Sequence, residues 1–210
     1  MVIRRLAKVL YFSFALLLAF AITLKAVQFL EPDFQREGFL RGKESFFDYF
    51  KWSLYVHMFS APLSILLGVI QFSTRPRKAH RWIGKLYVAS ILFFAAPSGF
   101  AMSFFAIGGL PSIINFILLS SLWFWFTLKA YRLARRRSYM AHRRFMVRSF
   151  LFANSAILLR LYGFANTTFL NMDPLQAYPF MAWLSWLPGL IILEVIFTSA
   201  HSKQQMQAGN

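Results

Sequence analysis

Four histidines, no cysteine and seven acidic residues against 23 lysines and arginines confine the ligand chemistry of this 210-residue chain to imidazole, guanidinium and hydroxyl groups. Without thiols there is no disulfide, no thiolate nucleophile and no thiolate metal site. No His-Glu-x-x-His motif, glycine-rich phosphate loop or nucleophile elbow occurs, so no catalytic residue is assigned. The chemistry on offer comes as pairs. His80 and His142 each stand in an Ala-His-Arg triplet that follows a basic stretch. Two imidazoles at one depth on two helices could ligate a b-type haem axially, with Arg143 and Arg144 pairing to the propionates. A histidine at a helix start also serves as a cap or a headgroup contact. Arg160 lies 18 residues beyond His142, five full helical turns, so the two point the same way from opposite ends of one helix. Counted from the other direction, His57 reaches the depth of Arg160, and an outer polar pocket of His57, Arg160 and Ser60 is expected. The alternative has Arg160 snorkelling outward and His57 satisfying a neighbouring hydroxyl. Glu194 and Arg148 sit at matching depths and suit a structural ion pair, with a proton-relay carboxylate as the other reading.

The elements that hold these residues are apolar runs. Hydrophobic residues make up 58% of the chain, and the mean hydropathy is +0.52. That composition lies outside ordinary soluble domains and implies an all-α, integral membrane helical bundle. One transmembrane domain covers residues 1–210, with six transmembrane helices expected over 9–30, 52–73, 82–107, 113–128, 145–165 and 179–198. The first run follows MVIRRLAK and reads as an uncleaved span, because it is longer than a signal core and no small-x-small site follows it. Pro62 should kink the second span, and Pro97-Ser98-Gly99 should bend the third, leaving carbonyls for neighbours to satisfy. Lys129 to Arg148 reads as a basic loop, residues 166–178 as a polar loop and residues 201–210 as a disordered tail.

Charge sets the orientation. A formal charge of +16 in a soluble chain would suggest nucleic acid. Here Arg4, Arg5, the Arg75 to Lys85 cluster and the eight cations of the 129–148 block fall on one side of the spans. Arg36, Arg41, Lys43 and Lys51 lie on the other, among most of the acids. The positive-inside rule then places both termini and the basic loops in the cytoplasm of a bacterial inner membrane. The partner this implies is the anionic cytoplasmic leaflet rather than nucleic acid.

Several short motifs carry a resemblance. They are Tyr55-Val-His57, Gly68-x-x-Gln71-Phe72, Arg77-Lys-Ala-His80-Arg81-x-x-Gly84-x-x-Tyr87, Ala141-His142-Arg143-Arg144-Phe145-Met146-Val147-Arg148-Ser149 and Leu159-Arg160. Over about Trp52 to Arg160 the chain resembles the multi-pass membrane family called domain of unknown function 2306. The resemblance implies several membrane helices and singles out His57, His80, His142, Arg148 and Arg160, without assigning an activity or a role.

Three functional classes remain open. One is a haem-carrying electron-transfer protein with His80 and His142 as ligands and an outer quinone or substrate pocket at His57 and Arg160. The second is a protein that binds or transports an anionic lipid or small solute. The third is a helical subunit whose small-residue stripe on the second span packs against a membrane-protein partner.

Overall fold

In hydrocarbon a backbone amide has no water to bond, so a long apolar run satisfies its polar groups only as a helix or within a closed barrel. The structure, a computed structural model, describes residues 12–14, 17–24, 27–35, 39–73 and 77–208, and among them it contains helices and no strand. Five helices are long and apolar enough to cross a membrane: α1 (Glu44–Ser73), α2 (Lys78–Ser103), α3 (Leu110–Arg135), α4 (Tyr139–Leu170) and α5 (Pro174–Ser199). The expected first span, 9–30, falls partly outside the described residues. Residues 12–14 and 17–24 of it are helical, with Ala19 and Ile22 buried in the main core.

Each helix packs on the next from α1 to α4, and α1 also touches α4, so the four close a ring. α5 lies against α3 and α4 and is the least buried of the five. Large apolar side chains such as Phe93, Phe94, Ile192 and Val195 are exposed on the outer surface, as a lipid-facing bundle requires. Tyr87, Ile91, Ala130 and Phe152 fill the interior. Gly68 lets α1 approach closely: a Cβ there would stand 2.6 Å from Phe150 Cδ2 and 3.1 Å from Tyr87 Cε2.

The helices run longer than hydropathy suggests. The 129–148 block is not a loop: α3 continues to Arg135, α4 begins at Tyr139, and only Arg136 to Ser138 turn between them. Arg, Lys, Leu, Ala and Met are good helix formers, so charge ends the hydrocarbon span without ending the helix. Arg137 takes the left-handed conformation (φ 58°), the Ser138 amide donates to Leu133 O at 3.0 Å and the Arg137 amide to Ala134 O at 3.1 Å. Those two bonds close the helix as a Schellman motif.

The expected loop at 166–178 is mostly helix as well. A π-helical turn over Asn166–Leu170 ends α4, and the Asp173 carboxylate caps α5 by accepting from the Leu175 and Gln176 amides. Pro174 then occupies the first turn, where a missing amide costs nothing. The tail expected to be disordered is helical through Ala208, as part of Leu187–Ala208. α1 runs unbroken through Pro62. In α2 a π-helical turn, Ser90–Ala95, ends two residues before Pro97. Proline has no amide to donate and its ring crowds the preceding turn, and the wider π-helical turn accommodates both.

Candidate functional site

Toward the end of the bundle that carries the Glu31 to Lys51 connection, a half-open cavity of about 470 Å³ lies between the helices. Its size suits a small ligand. α1 supplies His57, α3 supplies Ser120, α4 supplies Ser155 and Arg160, and α5 supplies Tyr178. Most of the remaining wall is apolar, including Phe39, Leu54, Met58, Ile65 and Phe116.

His57 is held by the irregularity in α2. Its Nδ1 lies 2.9 Å from Ala95 O, the last carbonyl of the π-helical turn. A carbonyl can only accept, so Nδ1 carries the proton. In the neutral ring the lone pair then sits on Nε2, and Nε2 has no hydrogen-bond partner among the described residues. Gly99 provides the space for this ring: a Cβ there would stand 2.9 Å from His57 Cε1 and 3.1 Å from Ser120 Oγ. Arg160 is exposed along the cavity and donates one Nη1 proton to Ala156 O at 3.0 Å. A guanidinium has five N–H donors, and this is the one hydrogen bond Arg160 makes among the described residues. Tyr178 leans on Phe116, with ring centroids 6.1 Å apart.

An aromatic cluster roofs the cavity. Leu40, Phe47, Phe50 and Leu54 form it, with Phe39, Met102 and Phe105 packed against them. Lys43 pins the connection in place by donating to Phe105 O and lying 3.6 Å over the Phe39 ring. Partial burial lowers the Lys43 ammonium from its ordinary 10.5 to about 8, because taking the charge out of water disfavours it.

The other sequence candidates lie elsewhere. Ser60 does not reach this cavity. It lines an apolar groove of about 590 Å³ between α1 and α2, beside Phe59, Leu63, Leu86 and Phe94. His80 and His142 belong to the basic end of the bundle and engage different neighbours. His80 is exposed, and its Nε2 lies 3.0 Å from Gln71 Nε2, for which Gly84 leaves room. His142 Nδ1 donates to Ala130 O at 2.8 Å. Neither histidine lines the cavity or the groove. Among the described residues no cluster of three or more His, Asp or Glu side chains could hold a metal ion.

Arg148 and Glu194 form a two-pronged pair, Nε to Oε1 at 2.5 Å and Nη2 to Oε2 at 2.6 Å. Phe145 and Phe197 flank the guanidinium at 4.9 and 4.8 Å. Arg144 lies over the same Phe197 ring at 5.7 Å, and Arg143 is exposed at the basic end.

Two features escaped sequence reasoning. Tyr178 was hidden in an apparent loop, although Asp173-Pro174 is a helix-start signal that places it one turn into α5. The second is a fully buried hydroxyl chain: Tyr87 OH lies 2.9 Å from Ser149 Oγ, Ser149 Oγ 2.7 Å from Thr127 Oγ1, and Thr127 donates to Trp123 O at 2.7 Å. Because that last carbonyl only accepts, the chain has one polarity, from Tyr87 toward Trp123. It satisfies the buried hydroxyls that α2, α3 and α4 turn toward one another.

Comparison with known proteins gives no match among curated proteins or solved structures. One family model does match, over residues 54–197, which takes in His57, Arg160 and Tyr178 of the cavity together with His80 and His142. The chain therefore belongs to the domain of unknown function 2306 family, a family of predicted membrane proteins.

Proposed function

We propose that this protein binds a small amphipathic anion in the cavity between the five helices, with the anionic head at Arg160 and the tail along the apolar walls. The observation that carries this reading is that Arg160 lines a half-open, largely apolar cavity while giving only one of its donors to its own helix. A cation placed in a membrane helix costs roughly 2.5–3.5 kcal/mol on insertion scales, so an unpaired one at a cavity marks a ligand site more readily than a packing device. Tyr178 and His57 add polar groups beside it, and the aromatic roof limits access by water. With the basic end on the cytoplasmic side, as the charge asymmetry favours, the cavity belongs to the outer half of the membrane and draws its ligand from that side.

The test is thermal melting of the purified protein in phosphatidylcholine nanodiscs with dodecanoate or dodecanol. Dodecanoate stabilises the protein and dodecanol does not, and Arg160→Gln removes the difference. At a concentration of 100 times Kd the stabilisation is about 2.7 kcal/mol. Equal melting with the acid and the alcohol would refute the proposal.

A further inference from the structure

The cavity does more than hold a charge, because several of its polar atoms are acceptors. Ser103, Ser155 and Ser185 each give their hydroxyl proton to a carbonyl of their own helix, Phe100 O at 2.6 Å, Phe152 O at 2.7 Å and Ala182 O at 2.7 Å. What they present to the cavity is therefore oxygen lone pairs. His57 does the same more sharply. Its Nδ1 proton is committed to Ala95 O, the last carbonyl of the π-helical turn, at 2.9 Å. The neutral ring then offers Nε2 as an acceptor with no partner among the described residues.

A plain carboxylate, which only accepts, matches Arg160 and the Tyr178 hydroxyl but leaves the His57 lone pair unanswered. A half-buried acceptor with no donor costs on the order of 1–3 kcal/mol once the ligand excludes water. The complementary head carries both functions.

Building on the amphipathic-anion reading above, we infer that the ligand is a hydroxylated acyl anion, whose hydroxyl donates to His57 Nε2 while its carboxylate accepts from Arg160. His57 is then the specificity-determining residue and Arg160 the affinity-determining one. The division follows from chemistry: the arginine accepts any anionic head, whereas the imidazole, fixed in one tautomer, rewards only a head with a proton to give.

The test compares dodecanoate with 2-hydroxydodecanoate and 3-hydroxydodecanoate by calorimetric titration of the protein in phosphatidylcholine nanodiscs. The expected result is that at least one hydroxy acid binds about tenfold more tightly than dodecanoate, the ratio that one satisfied acceptor supports. His57→Phe should abolish that preference, so that the hydroxy acids and dodecanoate bind the variant within about twofold of one another. A second measurement needs no variant. In protein labelled with ¹⁵N-histidine, the unprotonated Nε2 resonance of His57 should move on addition of the preferred hydroxy acid and stay in place with dodecanoate.

If dodecanoate binds through Arg160 but neither hydroxy acid is preferred, the inference falls and the amphipathic-anion reading stands. A preference that survives His57→Phe, or an Nε2 resonance that is already protonated, overturns it equally. If none of the three acids binds, both readings fail.

Discussion

Gly99→Ala is the smallest perturbation that reaches the cavity. The added Cβ would stand 2.9 Å from His57 Cε1, 3.1 Å from His57 Nδ1 and 3.1 Å from Ser120 Oγ. Restoring ordinary contact distances means moving the imidazole by about 0.5 Å, since carbon atoms pack best at roughly 3.5–4.0 Å. The Nδ1 to Ala95 O bond, now 2.9 Å, would then stretch toward the limit of a hydrogen bond. Overpacking of this kind costs about 1–3 kcal/mol, while Gly to Ala in a helix returns about 0.5–1 kcal/mol. The net expectation is a loss of about 1–2 kcal/mol together with weaker ligand binding. Gly163→Ala serves as the control, because a Cβ at that position would meet nothing within 4 Å and the same helix gain applies. Melting in nanodiscs should place Gly99→Ala below the parent protein and Gly163→Ala slightly above it. If Gly99→Ala melts with Gly163→Ala and keeps the parent's preference for the hydroxy acid, the packing of His57 against α2 is not what orients it.

The Arg148 and Glu194 pair should behave as one unit. Arg148→Met leaves Glu194 without its counter-charge on a lipid-facing helix and should cost about 2–3 kcal/mol, whereas the double change with Glu194→Leu should recover most of that loss. A double-mutant cycle by nanodisc melting measures this, and additive single effects would contradict the pairing. The lowered pKa of Lys43 gives stability a pH dependence. Between about pH 8 and 10.5 the unfolded chain holds a proton on Lys43 that the folded chain has released, so folding stability rises with pH through that window and is flat below it. Lys43→Met should remove this rise, and parent and variant curves of equal slope across the window would count against the burial of this ammonium.

The sequence showed where hydrocarbon must lie better than where helices end. Hydropathy stops at Leu128, but the helix that begins at Leu110 continues to Arg135, because arginine and leucine keep helical geometry while their charged tips reach water. The same confusion hid Tyr178, since Asn171 to Asp173 is the whole connection and the polar residues around it belong to helix ends. That His57 and Arg160 lie at one level of the bundle can be counted in helical turns. That a cavity lies between them cannot, because it depends on how α1, α3 and α4 are spaced around the ring. The tautomer of His57 was still less accessible. Pro97 announces a disturbance in α2, but only the π-helical turn decides which carbonyl is turned toward the imidazole. His80 and His142 illustrate the opposite limit. Their matching Ala-His-Arg triplets encode a similar position on a helix, while Gln71 for one and Ala130 for the other are neighbours that no local motif specifies.

The central claim is that Arg160 makes the cavity a site for an anionic amphiphile. Calorimetric titration of dodecanoate into the protein in phosphatidylcholine nanodiscs, beside Arg160→Gln and Arg160→Lys, tests it most directly. Saturable binding that weakens at least tenfold in Arg160→Gln and is partly restored in Arg160→Lys is the predicted result. Binding of equal strength in all three proteins, or none in the parent, would contradict it.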